Sequence, residues 1–355
     1  MNDEILYLWA QWGILNYDYY QIVLRYFGDL ETAWRKITPS FLHEMGFKKE
    51  KAERMFKVRD YLDFATFRDG VDESGVRVFC VDDDYYPAPL KSIPNPPVFL
   101  FVRGVIPPLH KALGVVGTRL ITSYGKYCVE VLTHDLVYNG FVIVSGLAMG
   151  IDAMAHCVTL KNRGVTVAVL GSGIDTVFPA AHSKMAEQIV EKGGAVISEY
   201  PLGTPPLAHH FPLRNRIISG LSRGVLVIEG GVKSGALITA RYALEQGRDV
   251  FAVPHAITRH TLSGTNHIIR RGEAKLVESV QDILEEYEMQ PAQQKSLFDF
   301  SDSEKEILAL LADDGKSIDE LASETPYNVA RLSEVLIRLQ FKRVVREIGQ
   351  KWVLI

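Results

Sequence analysis

"ALGVVGTRLITSYG", Ala112 to Gly125, passes from an unbroken apolar run through a glycine turn into a polar stretch. An apolar run that does not alternate with polar residues marks a strand buried on both faces. The same pattern recurs in "FVIVS" (141–145), "VTVAVLG" (165–171), "AVISEY" (195–200), "GVLVIEG" (224–230) and "DVFAVP" (249–254). Helical stretches lie between them, such as 124–138 and 236–246, the second closed by Gly247 at a C′ position. Strand, helix and strand repeated in this way predict an α/β fold with a doubly wound, mostly parallel sheet. Upstream, "VRVFCVDDDYYPAPLKSIPNPPVFLFVRG" adds one or two strands at an edge, where its prolines are tolerated.

Working outward, residues 1–67 read as a small all-α unit, with Asp29 placed to cap a helix and Thr32 three residues on. The sheet occupies 76–288. Residues 289–300, polar and aperiodic, read as a linker. Across 301–355, three short helices precede "RVVREIGQKWVLI", a hairpin turning at Gly349, which together suggest a winged helix. A chain of 355 residues accommodates this division. Its 47% hydrophobic and 23% charged content is that of a globular protein, and no apolar run is long enough to span a membrane. The acidic start lacks a secretory leader, which places the protein in the cytoplasm. Cys80, Cys128 and Cys157 are too few and too scattered for a disulfide framework or a zinc site and are expected to be buried thiols.

Ligands of such sheets bind beyond the carboxyl ends of the strands. Those ends carry "GTR" (117–119), "SGLAMGID" (145–152), "GSGID" (171–175) and "EGGVKSGALIT" (229–239), turns whose backbone can approach a phosphate. Gly117, Ser145, Gly146, Gly171, Ser234 and Gly235 are the small residues singled out. None of the loops is a dinucleotide fingerprint, a P-loop or a nucleophile elbow, so neither a cofactor nor a catalytic residue is assigned. Asp152 and His156, four apart, share a helix face; they make either an acid–base pair or a helix-start charge beside a packed histidine. The adjacent His209 and His210 fit no metal-ligand spacing.

Net charge is −4, so polyanion binding requires a local basic cluster. Residues 201–223 hold Arg214, Arg216 and Arg223 and no acid. With a helix starting near Leu213, Arg214 and Arg216 fall in its first turn, where an anion would offset their conflict with the dipole. Phe211 offers a ring to an unpaired base and Asn215 a base-edge or backbone contact. The competing reading pairs the arginines with Glu199 or Glu229 as braces of the rim.

From "VVGTRLITSYG" through "VSGLAMGIDAMAH", "AVLGSGIDTVFP", "ISEYPLGTPP", "HFPLRNRIISGLSRGVLVIEG" and "KSGALITARYALEQGRDVFAVP" to "SGTNHIIRRGEAKLV", the chain resembles the DNA-processing protein A family (DprA, also called Smf). The resemblance covers about residues 77–277. It implies an extended Rossmann-like domain flanked by a sterile-alpha-motif-like (SAM-like) helical domain and a winged helix. The implied protein is a non-enzymatic homodimer of natural transformation. It binds and protects incoming single-stranded DNA and helps load the RecA recombinase. Arg119, Phe211, Arg214, Asn215 and Arg216 become the implied DNA contacts. Ala208, Met149, His182 and His255 stand where many members have a lysine, a basic residue, an asparagine and a glycine; the missing lysine bears most on phosphate binding.

Residues 301–355 carry 10 acidic and 8 basic residues, but from Arg331 onward the count is 2 against 6, so the third helix and wing face DNA or a protein partner. In the linker, "QKSLF" resembles peptides that dock into the bacterial sliding clamp, with Gln294, Leu297 and Phe298 as its contacts; the competing reading packs them on the domain. An enzymatic alternative is a nucleoside monophosphate phosphoribohydrolase, which "EGGVKSGALIT" resembles; there Thr239 occupies the place of a needed glutamate.

Overall fold

The computed structural model describes residues 3–292, 301–311, 315–341 and 344–354, and its contacts divide the chain into two compact units, Met1–Pro291 and Ala292–Ile355. The first unit opens with six helices: α1 (Asp3–Trp12), α2 (Tyr17–Phe27), α3 (Leu30–Lys36), α4 (Pro39–Glu44), α5 (Lys49–Arg59) and α6 (Phe64–Glu73). Side-chain caps start four of them, and Asp29 accepts from Thr32 N (2.7 Å) as its spacing foretold.

The sheet follows, as β1 (Val76–Cys80), α7 (Ala88–Lys91), β2 (Phe99–Gly104), β3 (Ala112–Val116), α8 (Ser123–Tyr138), β4 (Val142–Ser145), α9 (Ile151–Lys161), β5 (Thr166–Val169) and α10 (Ser183–Glu191). It continues with β6 (Ala195–Ser198), α11 (His210–Gly220), β7 (Gly224–Val227), α12 (Gly235–Glu245), β8 (Asp249–Ala252), α13 (Gly264–Arg270), β9 (Lys275–Leu276) and α14 (Val280–Glu286). The strand order is β1-β2-β6-β5-β4-β3-β7-β8-β9. Neighbours from β6 to β9 pair in parallel, whereas β2 pairs antiparallel with both β1 and β6. The proline-rich segment thus supplies the last two strands at one side of the sheet, of which β1 is the edge. Strands β3 to β7 are buried at every position, which explains their unbroken apolar runs.

Apolar side chains cover both faces of this sheet. One of the two layers runs without a break into the helices, from Trp9 and Val23 through Phe101 to Val169; Phe67 of α6 meets Phe101 of β2 edge-on at 6.4 Å. Cys80 and Cys128 are buried and Cys157 half-buried, all as free thiols.

The second unit holds α15 (Asp302–Leu310), α16 (Ile318–Glu324), α17 (Val329–Phe341) and a hairpin of β10 (Val345–Ile348) with β11 (Lys351–Leu354). Gly349 makes the turn with φ +67°. Reciprocal Ser–Glu caps start α15 and α16, and Ile307, Leu321, Leu332, Val335, Leu336 and Leu339 form the core. Gln294, Leu297 and Phe298 lie outside the described residues.

Candidate nucleic-acid interface

β4, β5 and β6 were laid down on one side of β3 and β7 on the other, so the strand order reverses between β3 and β7. The loops leaving those two strands diverge and leave a crevice. Its cavity, about 320 Å³, is lined by Gly117, Thr118 and Arg119 after β3, by Ser234 and Gly235 after β7, and by Ala208, Phe211, Arg214 and Asn215 around α11. Arg119 is exposed, with its guanidinium carbon 5.7 Å from the Phe211 ring centre, within cation–π range. The Ser234 hydroxyl is buried without a protein partner among the described residues. Asn215 spends its amide on the Gly235 carbonyl (3.2 Å) and so joins α11 to the start of α12. Beneath the Phe211 ring is Gly171, where a Cβ would stand 3.0 Å from the ring.

Arg214 is 3% exposed. It donates to the Gly146 carbonyl (2.6 Å) and to that of Val169, joining the ends of β4 and β5. A Cβ on Gly146 would fall 2.5 Å from this guanidinium, so a side chain there would have to displace it from its two carbonyls. Asp152, in the first turn of α9, accepts from Gly146 N (3.1 Å). Burial pushes its carboxyl up to about 6 against the pull of Arg214, and burial brings Arg214 down to about 10 against the pull of Asp152. His156 makes no pair with Asp152. Its Nδ1 meets Thr166 Oγ1 (2.7 Å), and burial, aided by Arg214 and His182, drives its pKa down to about 3, so the ring stays neutral. Ser145 is buried and donates to Val115 O (2.6 Å), bracing the strand ends under the crevice rather than lining it.

The expected basic cluster disperses in space. α11 starts at His210, not near Leu213, because Pro212 fits a first helical turn where its missing N–H would be unpaired anyway. Arg214 and Arg216 therefore lie beyond that turn, and the dipole argument does not apply to them. Arg216 pairs with Glu199 (2.5 Å), as the rim-brace reading held, and is absent from the crevice lining. Arg223 precedes β7, at the opposite ends of the strands, and stacks over Tyr287 at 3.9 Å. Glu229 holds neither arginine; fully buried, it accepts from Thr122 N (3.1 Å) and Thr122 Oγ1 (2.7 Å) at the start of α8, with His255 Nε2 at 3.3 Å.

His182 donates to the carbonyl of Leu147 (2.8 Å), whose φ of +55° shapes the turn after β4. His210 is buried against Tyr200, rings 4.0 Å apart, and burial with His209 lowers its pKa, which leaves His209 as the exposed member of the pair. Ala208 is exposed on the crevice wall and brings no charge. Two residues were missed in the sequence: Lys233, an exposed cation after β7, and Phe178, an exposed ring 5.6 Å from Phe211. Lys233 was legible within its glycine loop; Phe178, alone in a loop, carried no periodic signal.

This is a Rossmann-type sheet whose reversal-point crevice sets an exposed guanidinium beside an aromatic ring, a geometry that offers a cation and a stacking surface side by side. Residues 77–288 match the sequence model of the DNA recombination-mediator protein A family, and the chain belongs to that family. Protein Smf of Escherichia coli is 47% identical over 205 residues, which are 58% of this chain and 54%, about half, of that protein. DNA processing protein DprA of Bacillus subtilis is 45% identical over 216 residues, 60% of this chain and 72% of its own length. Among solved structures, DNA processing protein A of Streptococcus pneumoniae superposes with a TM-score of 0.66 at 36% identity, covering 81% of this chain and 98% of that one. DNA processing protein A of Helicobacter pylori, described for its single-stranded DNA binding mode, gives a TM-score of 0.54 at 27% identity over 60% of this chain and 95% of that one.

Proposed function

We propose that the crevice binds single-stranded DNA and that the protein is a recombination mediator of natural transformation. In this reading it protects incoming single strands as a cytoplasmic homodimer and helps a RecA-type recombinase assemble on them, without catalysing a reaction. The observation that carries the proposal is Arg119 poised over Phe211 at the crevice mouth: a cation for a phosphate beside a ring for a base. The Helicobacter pylori relative, described with single-stranded DNA, supports the choice of ligand. The family's description as recombination mediator supports the role. Against an enzyme stands the engagement of the nearby titratable groups: Asp152 is held by backbone donors and His156 by Thr166. Thr239, where the phosphoribohydrolase reading needs a carboxylate, turns its hydroxyl back to Gly235 O (3.4 Å).

The test is fluorescence anisotropy of labelled oligothymidine over a range of salt concentrations. Arg119→Ala is expected to weaken binding and to flatten the slope of log K against log salt by about 0.7, the contribution of one phosphate on a single strand. Binding that survives this change with its slope intact would reject the crevice.

A further inference from the structure

Every loop leaving a strand from β3 to β7 exposes an apolar side chain: Leu120 (85%), Met149 (57%), Phe178 (46%), Leu207 (43%) and Val232 (49%). Of the arginines expected on this rim, Arg214 is buried in the crevice wall and Arg216 is paired with Glu199, which leaves Arg119 and Lys233 as exposed cations there. A rim with much apolar surface and few free cations favours contact with bases over contact with phosphates. Phe178 is the flat member of that apolar set. Its ring centre lies 5.6 Å from that of Phe211, which in turn lies 5.7 Å from Arg119, so three planar groups stand in series from the crevice outward.

The loop that presents Phe178 is pinned. Ser172 Oγ donates to Thr176 O (2.5 Å), Gly173 N donates to Thr204 O (2.8 Å), and the Asp175 carboxylate accepts from Gly203 N (3.0 Å). A large ring held half in solvent on a braced loop loses little conformational freedom when a partner covers it. The planes of Phe178 and Phe211 are inclined by 50°, so a single base cannot lie flat on both. Two rings therefore imply two base positions.

We infer that Phe178 forms a second base-stacking subsite, taking the unpaired nucleobase next to the one held at Phe211 and Arg119. This rests on the single-stranded DNA reading above. Stacking is indifferent to salt, whereas phosphate contact is not, and the two contributions separate experimentally.

The experiment measures anisotropy of labelled oligothymidine, and of an abasic deoxyribose-phosphate strand of equal length, with the full chain and its Phe178→Ala, Phe178→Trp and Arg119→Ala variants. Phe178→Ala is expected to weaken oligothymidine binding about ten-fold at unchanged salt slope, and Phe178→Trp to restore it. On the abasic strand, the parent and Phe178→Ala are expected to bind equally. Phe178→Ala binding within two-fold of the parent, while Arg119→Ala binds weakly, would overturn the subsite and leave the DNA reading standing. Equal losses on both strands would also overturn it, because the contact would then not be to a base. Oligothymidine binding insensitive to Arg119→Ala would instead reject the crevice as the DNA site, and the subsite with it, and no oligothymidine binding by the parent would bring down the DNA reading itself.

Discussion

Arg214 and Arg216 stand two residues apart on α11 and end in opposite surroundings. A helix turns about 100° per residue, so positions i and i+2 point roughly 200° apart. One guanidinium is sealed under the crevice, holding the Gly146 and Val169 carbonyls near Asp152; the other meets Glu199 in a groove that also includes Tyr17 and Pro97. Charge counted along the chain is therefore not charge gathered in space. Arg214 organises the strand ends, Arg216 braces their flank, and the cation exposed within the crevice lining is Arg119, from a different loop.

The contrast is broken most directly at Arg214. Arg214→Ala leaves the Gly146 and Val169 carbonyls without their charged donor in the interior and removes the charge that attracts Asp152, and urea unfolding should show a loss of about 3–5 kcal/mol. A loss below about 1 kcal/mol would mean that the guanidinium is not structural.

The next effect tests the same interior by pH. His156 is held neutral down to about 3, partly by Arg214, while in the unfolded chain it takes a proton near 6.5. As pH falls below the unfolded value, the unfolded state binds a proton that the native state refuses. Stability is therefore full above that value and declines on acidification, by about 2 kcal/mol at about pH 5. Thermal melts in His156→Gln should lack this component of the decline.

At the other arginine the stake is smaller. Arg216→Ala should cost about 1–2 kcal/mol in the same urea assay and leave oligothymidine affinity unchanged, since the side chain faces away from the crevice. A marked loss of DNA binding there would return Arg216 to the interface. The smallest effect sharpens the comparison by adding charge: Ala208→Lys should tighten oligothymidine binding a few-fold and steepen the salt slope by about 0.7.

The core strands were legible because a strand covered on both faces has no polar positions to interrupt its apolar run, and all six lie within the runs read from the sequence. The crevice was legible as a set of glycine turns at their ends. The side-chain arrangement was not. Pro212 looks like a boundary and is a first-turn residue. The fates of Arg214, Arg216 and Arg223 depend on which acids and carbonyls the sheet order brings beside them, information that no local window contains. Phe178 becomes noticeable only once Phe211 is seen beside it.

The unbroken core between the helical segment and the sheet has a corollary for cutting the chain. Kinship, as the family match draws it, begins at residue 77. Cooperative unfolding draws its line elsewhere: a fragment starting there would strip Phe67 from Phe101 and uncover β1, leaving an adhesive edge where the intact protein has packed helices. The first 291 residues are thus expected to melt in one transition, and the helices at their head belong to the sheet's folding unit whatever their ancestry.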